Sequence, residues 1–124
     1  MERLFTLVGA LLMAIGVAAG AFGAHALSDY FTRFPDLENT YQTAVRYHVY
    51  HALGLLFIAW AATRWPGPLT TWAGWLIVAG VVIFSGSLYL LVATRIRMLG
   101  AITPIGGVAF IAGWALLLLA AWRN

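Results

Sequence analysis

The chain has 124 residues, 63% of them hydrophobic and only 9% charged, where a soluble domain carries about 25% charged residues. Its charge of +3 comes from 7 arginines and no lysine, placed near the ends of apolar runs and not gathered into a basic patch, so no nucleic-acid partner is expected. Cysteine is absent, which excludes disulfides, thiolate catalysis and thiolate metal sites.

Four long apolar stretches separated by short polar ones leave room for one domain. Roughly 20 apolar residues in a helix span a bilayer. The expected fold is therefore all-α: an integral membrane four-helix bundle in up-down order, one four-span domain over 1–124. Its spans fall at about 4–27, 44–64, 69–94 and 99–122.

Span one runs from about Leu4 to Leu27. Glu2 and Arg3 ahead of an apolar run, with Ala24-His25-Ala26 as a small-x-small triplet, have the form of a signal peptide and its cleavage site. The run is longer than such a peptide usually carries, so a retained span is expected. Gly9, Gly16, Gly20 and Gly23 fall on one stripe of this helix. In lipid a glycine stripe lets a second backbone approach. A contact within the monomer is the expected use, and a homo-oligomer joined through the stripes is the alternative.

The first loop, Ser28 to about Thr43, holds Asp29, Asp36 and Glu38. Asp29 and Arg33 have the spacing of a pair on a helical turn. After Pro35, the carboxylates of Asp36 and Glu38 favour a helix N-terminus. Leu37, Tyr41, Ala44, Val45 and His48 follow at helical spacing. One long helix from about Asp36 to Arg64 is expected, its first two turns outside the hydrocarbon and its span starting near Ala44. "RWPGPL", residues 64 to 69, is a tight turn.

Span three runs from about Leu69 to Thr94, with small residues at Ala73, Gly80, Ser87 and Thr94. "TRIRMLG", residues 94 to 100, connects it to span four. Thr103 and Pro104 read as an N-cap and first helical position; alternatively the helix starts near Leu99 and kinks at Pro104. Gly106, Gly113 and Ala120 give it a small stripe too.

Up-down order brings the polar residues to one side. There lie His25, His48 and His51, every tyrosine (Tyr30, Tyr41, Tyr47, Tyr50, Tyr89), and Ser85, Ser87, Thr94 and Thr103. The other side carries Phe5, Trp65, Trp72, Trp75 and Trp122, an aromatic belt. Arg3, Arg64 and Arg123 fall on the belt side, and Arg33, Arg46, Arg95 and Arg97 on the polar side. That near-balance gives the positive-inside rule only a slight preference for cytoplasmic first and third loops.

The three histidines are the sharpest chemical signal. His48 and His51 share a helix face that His25 could reach from span one, and imidazoles suit zinc, copper, iron and nickel. Yet no carboxylate within a span is available to orient them, and nothing shapes a porphyrin cleft. No metal and no cofactor are expected. The expected arrangement is a hydrogen-bonded polar cluster of His25, His48, His51, Ser87, Tyr89 and Thr103 in one leaflet. Within it His25 and His51 point into the protein, bonded to Ser87, Tyr89, Thr103 or water, because an unpaired polar group facing lipid is costly.

Intramembrane ionisable residues also suggest transport, but no span holds a carboxylate and the tryptophan side looks dry. A small transporter or channel subunit is the alternative function. A histidine beside Ser85 or Ser87 could be read as a base and nucleophile. No orienting acid accompanies them, and the helical serines of "FSGSLYLL" tend to bond back to carbonyls. No catalytic residue and no enzymatic activity are expected. What remains is a structural, assembly or lipid-binding role, with membrane lipid as partner, protein partners unspecified, and Arg46, Arg95 and Arg97 as headgroup candidates.

"GAFGAHAL", "YHVYHALGLL", "FSGSLYLL" and "GAITPIGGVAFIAGW", in that order, resemble the four spans of the bacterial family catalogued as domain of unknown function 423, to which vertebrate transmembrane protein 256 is similar. The resemblance covers nearly the whole chain. It implies a small multi-pass protein of the bacterial cytoplasmic membrane and supplies no reaction or substrate. His25 and His51 match positions of the family pattern. His48 departs from it, glutamine being expected there, which favours a two-histidine polar cluster over a three-histidine metal site.

Overall fold

Prolines open three of the helices, at first-turn positions where the missing N–H has no intrahelical partner in any case. The computed structural model describes Met1–Asn124 and is helical throughout, with no strand. The elements are α1 (Glu2–His25), α2 (Ser28–Arg33), α3 (Pro35–Arg64), α4 (Pro68–Gly80), a π-helical turn at Val81–Ser85, α5 (Gly86–Thr94), a 3₁₀ turn at Arg97–Ala101 and α6 (Thr103–Arg123). Gly67, before α4, has φ 143°, a conformation that glycine alone adopts without strain. Arg95 closes α5 with φ 60°.

Three helical stretches are long and apolar enough to cross a membrane by length and composition: Glu2–His25, Pro68–Thr94 and Arg97–Arg123. The stretch of α3 after Ala44 falls short of that standard because its first two turns carry Arg46, Tyr47, His48, Tyr50 and His51. The long helix itself matches expectation, beginning at Pro35 and ending at Arg64.

Two boundaries differ from the sequence reading. The start of span four near Leu99 is replaced by a 3₁₀ turn, and α6 begins at Thr103 without a side-chain cap. The third apolar stretch is not one regular helix, since the π turn at Val81–Ser85 interrupts it. A π turn takes up one residue more than an α turn; the seven-residue stripe nevertheless continues past it to Ser87 and stops short of Thr94, the last residue of α5. Ala73, Gly80 and Ser87 are buried, but Thr94 is exposed.

Packing is built on small residues. α1 lies along α3, and α4 along α6. The stripe on α1 is used inside the monomer, as expected: an added Cβ at Gly9 would lie 2.9 Å from Leu56, and one at Gly16 would lie 2.9 Å from Val49. At Gly106 an added Cβ would run into the backbone of Phe84, in the π turn.

The interior divides in two. One apolar cluster contains Phe5, Leu55, Ile58, Ile77, Phe110 and Leu117. The other contains Phe31, Leu37, Ala44, Leu88, Leu91 and Val92. Phe5, expected in the aromatic belt, is instead fully buried, packed edge-on against Trp75. The outer surface is apolar, with Leu7, Leu11, Val82, Ile105, Ile111 and Leu118 all exposed. A soluble monomer does not present such a surface.

Candidate functional site

Along α3, His48 and His51 lie between the two apolar clusters, as Ser85 does between Val81 and Leu88. These residues form a polar layer, but not the one expected. Its centre is His48, which is 3% exposed. Its Nε2 lies 2.7 Å from the Leu12 carbonyl of α1, and its Nδ1 lies 2.8 Å from the Tyr89 hydroxyl of α5. A carbonyl can only accept, so Nε2–H donates to Leu12. In a neutral imidazole Nδ1 is then the acceptor, and Tyr89 O–H donates to it. One side chain thereby ties three helices together.

The glycine stripe makes this bond available. In a helix the carbonyl of residue i points toward residue i+4. Leu12 is four residues before Gly16, where an added Cβ would come within 3.5 Å of the His48 Nε2. Ala19 stands in the same relation to Gly23, and its carbonyl accepts a hydrogen bond from Tyr41 Oη, whose ring lies over that glycine. Two of the stripe glycines thus open a carbonyl of α1 to a donor on α3.

Further bonds extend the layer. Ser85 Oγ, in the π turn, donates to the Ala44 carbonyl at 2.7 Å, and Tyr30 Oη donates to the Val92 carbonyl at 2.6 Å. Ser87 and Thr103 hydroxyls pair at 2.6 Å, joining α5 to α6. Thr103 therefore serves as an interhelical partner and not as the expected cap.

His51 is buried, as expected, but its partner belongs to its own helix. Nδ1–H donates to the Tyr47 carbonyl at 2.7 Å, and the ring stacks on Phe110 with centroids 3.5 Å apart. The two α3 histidines therefore hold opposite tautomers when neutral. His25 corrects the sequence reading outright. It is exposed at the end of α1, its side chain has no hydrogen-bond partner, and only its carbonyl is used, by Ser28. The helix turns so that α1 meets α3 through its glycines, which leaves the opposite face, with His25, outside. No group of three histidine or carboxylate side chains is brought together.

The three headgroup arginines also separate. Arg97 bonds Asp36, closing the third connection onto the start of α3, and holds that carboxyl below the usual carboxylate range. The Arg95 guanidinium lies 4.7 Å from the centre of the Phe34 ring, a cation–π contact. Arg46 is exposed and makes neither kind of contact. Asp29 and Arg33 do not pair; the only side-chain ion pair between distant residues is Arg97–Asp36. Nothing local in the sequence marks that pair, because its members lie 61 residues apart.

Arg46 instead lines a groove of about 460 Å³ between the end of α1, Phe31 of α2 and the first turns of α3. Gly20, Gly23, Ala24, Val45 and Val49 line its apolar part, and Glu38, Gln42, Arg46 and Tyr50 its polar part. The sequence reading assigned no role to Glu38 or Gln42 here. Their four-residue spacing with Arg46 and Tyr50 is the signal that could have found it.

The family model described as "Protein of unknown function (DUF423)" matches residues 19–107. The chain is 48% identical over 121 residues to the UPF0382 membrane protein YwdK of Bacillus subtilis, covering 96% of each chain. It is 46% identical over 121 residues to a UPF0382 membrane protein of Staphylococcus haemolyticus, covering 98% of this chain and 97% of that one. A Staphylococcus aureus UPF0382 membrane protein is 45% identical over 125 residues, with the same coverage. No solved structure matches. With the family model matching well over half of the chain and these relatives aligned almost end to end, the chain belongs to the DUF423 family and is a membrane protein.

Proposed function

We propose that this is a multi-pass protein of the bacterial cytoplasmic membrane in which all four long apolar segments cross the bilayer in up-down order, and that its role is non-enzymatic: a packed scaffold that binds lipid. The observation that carries this reading is the direction of the polar groups on α3. His48 and His51 are buried, while the outer face of the same helix presents Tyr50, Leu53, Phe57 and Trp60. From Leu53 onward the outward face of α3 is therefore apolar and suited to lipid, whatever the helix's average composition. The non-enzymatic reading is supported by commitment of the buried polar groups. His48 has both ring nitrogens engaged, and Ser85, Ser87 and Thr103 all bond to neighbours, so none is an uncommitted nucleophile beside a base.

The test is cysteine labelling in whole cells and inverted vesicles, with single cysteines introduced near Glu2, Asp29, Gly67, Met98 and Asn124. The expected pattern puts Glu2, Gly67 and Asn124 on one face and Asp29 and Met98 on the other. Labelling of Glu2 and Asn124 from opposite faces would overturn the topology.

A further inference from the structure

We propose that the groove between α1 and α3 is a phospholipid site selective for headgroups carrying both a phosphate and a primary ammonium, as phosphatidylethanolamine does. The inference rests on the four-span reading above and goes further in naming the lipid class and the residues that choose it.

Four polar side chains line the groove on one face of α3, at Glu38, Gln42, Arg46 and Tyr50. Residues four apart share a helix face. None of the four has a hydrogen-bond or ion-pair partner within the protein, although Tyr30, Tyr41, His48, Ser85, Ser87 and Thr103 are all bonded. An arginine and a glutamate unpaired on one wall of a groove are complementary to a ligand that carries both charges.

The order of the charges fits their depth. With the hydrocarbon beginning near Ala44 and a rise of about 1.5 Å per residue, Glu38 stands roughly 9 Å outside that boundary. Arg46 starts roughly 3 Å inside it and can extend its guanidinium outward. The headgroup layer is about 5–8 Å thick on each side of a bilayer, so the wall traverses it. In a phosphatidylethanolamine the phosphate lies nearest the acyl chains and the ammonium farther out. Arg46 can donate to the phosphate oxygens; Tyr50, roughly 9 Å inside the boundary, lies too deep to reach them. The carboxylate of Glu38 and the amide oxygen of Gln42 can accept from the ammonium, which has three N–H donors; a quaternary ammonium has none. Gly20, which lacks a side chain, leaves room beneath the headgroup for the start of an acyl chain.

The site can be tested by native mass spectrometry of the full chain in detergent, supplied with equal amounts of phosphatidylethanolamine, phosphatidylcholine and phosphatidylglycerol of identical acyl chains. The expected result is preferential retention of phosphatidylethanolamine. Arg46→Gln should lower retention of all three lipids about tenfold, the effect of losing one charge-assisted contact. Glu38→Gln should abolish the preference for phosphatidylethanolamine while leaving phosphatidylglycerol unchanged, and Glu38→Lys should reverse it. Both side chains are exposed, so these variants leave the packing intact, which circular dichroism of each would verify. Equal or stronger retention of phosphatidylglycerol by the wild type would overturn the proposal, as would Arg46→Gln binding like the wild type. Labelling reports topology independently of lipid, so failure here and failure of the four-span reading are separable.

Discussion

Glycine does two different jobs in the two halves of this molecule. In the half that holds Phe5, Gly74 and Gly80 make room for aromatic rings: Phe5 lies over Gly74, and Phe110 over Gly80. In the half that holds His48, Gly16 and Gly23 leave carbonyls of α1 open to His48 and Tyr41. Both solutions answer one physical problem. Inside a bilayer apolar surface gains little by leaving lipid for a neighbouring helix, so association depends on close packing and on bonds between helices. The first half uses interlocked shape and the second uses hydrogen bonds, so the two should fail differently when mutated.

The largest effect is expected from shape. Phe5→Ala would remove a fully buried ring. The transfer contribution is small when the unfolded reference also lies in lipid, but the cavity contribution stays. At about 24 cal/mol per Å³ and a cavity on the order of 100 Å³, it amounts to about 2 kcal/mol. Gly74→Leu should cost a similar amount by overpacking the same space, about 1–3 kcal/mol. The double variant should be more stable than the sum of the two, since the leucine would occupy the space left by Phe5. Unfolding in mixed micelles measures all three. Strict additivity would show that Phe5 and Gly74 do not share that space.

In the bonded half, the requirement at position 48 is one donor and one acceptor, set about an imidazole's width apart. Glutamine meets it, with its amide N–H toward Leu12 and its carbonyl toward Tyr89. The family resemblance leads to that residue at this position. His48→Gln should therefore unfold close to wild type. His48→Leu should lose both interhelical bonds, about 1–2 kcal/mol at the modest strength of such bonds in membranes. Equal destabilisation by glutamine and leucine would mean that the imidazole ring itself is needed, by packing or by chemistry, and would break the contrast with the shape-based half.

These two halves also mark what could be read from the sequence. The glycine stripe of α1 and the long helix after Pro35 follow from spacing, and the structure has both, with His48 and Tyr89 bonded to each other. Periodicity gives the face of a helix but not its azimuth in the bundle. The stripe and the histidines were therefore read as separate features, whereas His48 bonds the carbonyl that Gly16 exposes. The same gap placed His25 inside, when the packing of α1 through its glycines turns it out. The π turn has no signature in the sequence, because an added residue within a turn leaves no local mark in an apolar run. The Arg97–Asp36 pair depends on how two connections approach each other, which spacing along the chain does not encode.

The smallest expected effect belongs to that pair, at the exposed end of the bonded half. The hydrogen bond from Arg97 lowers the Asp36 pKa from its ordinary value of 3.8. A carboxyl whose folded pKa is depressed contributes stability that is present above the unfolded value and is lost as pH falls through the folded one. The window therefore opens below about 4, and at neutral pH Asp36 is ionised in both states. Both side chains are more than half exposed, and water and salt screen such pairs. Arg97→Gln should leave the unfolding midpoint at pH 7 within error of wild type. Carbon-13 NMR of the Asp36 carboxyl is the sensitive readout: the variant should titrate near the ordinary aspartate value, and the wild type below it. A wild-type titration at the ordinary value would show that the two connections are not latched in solution. A marked fall in the midpoint of Arg97→Gln at pH 7 would instead make the latch a structural element comparable to the buried layer beneath it.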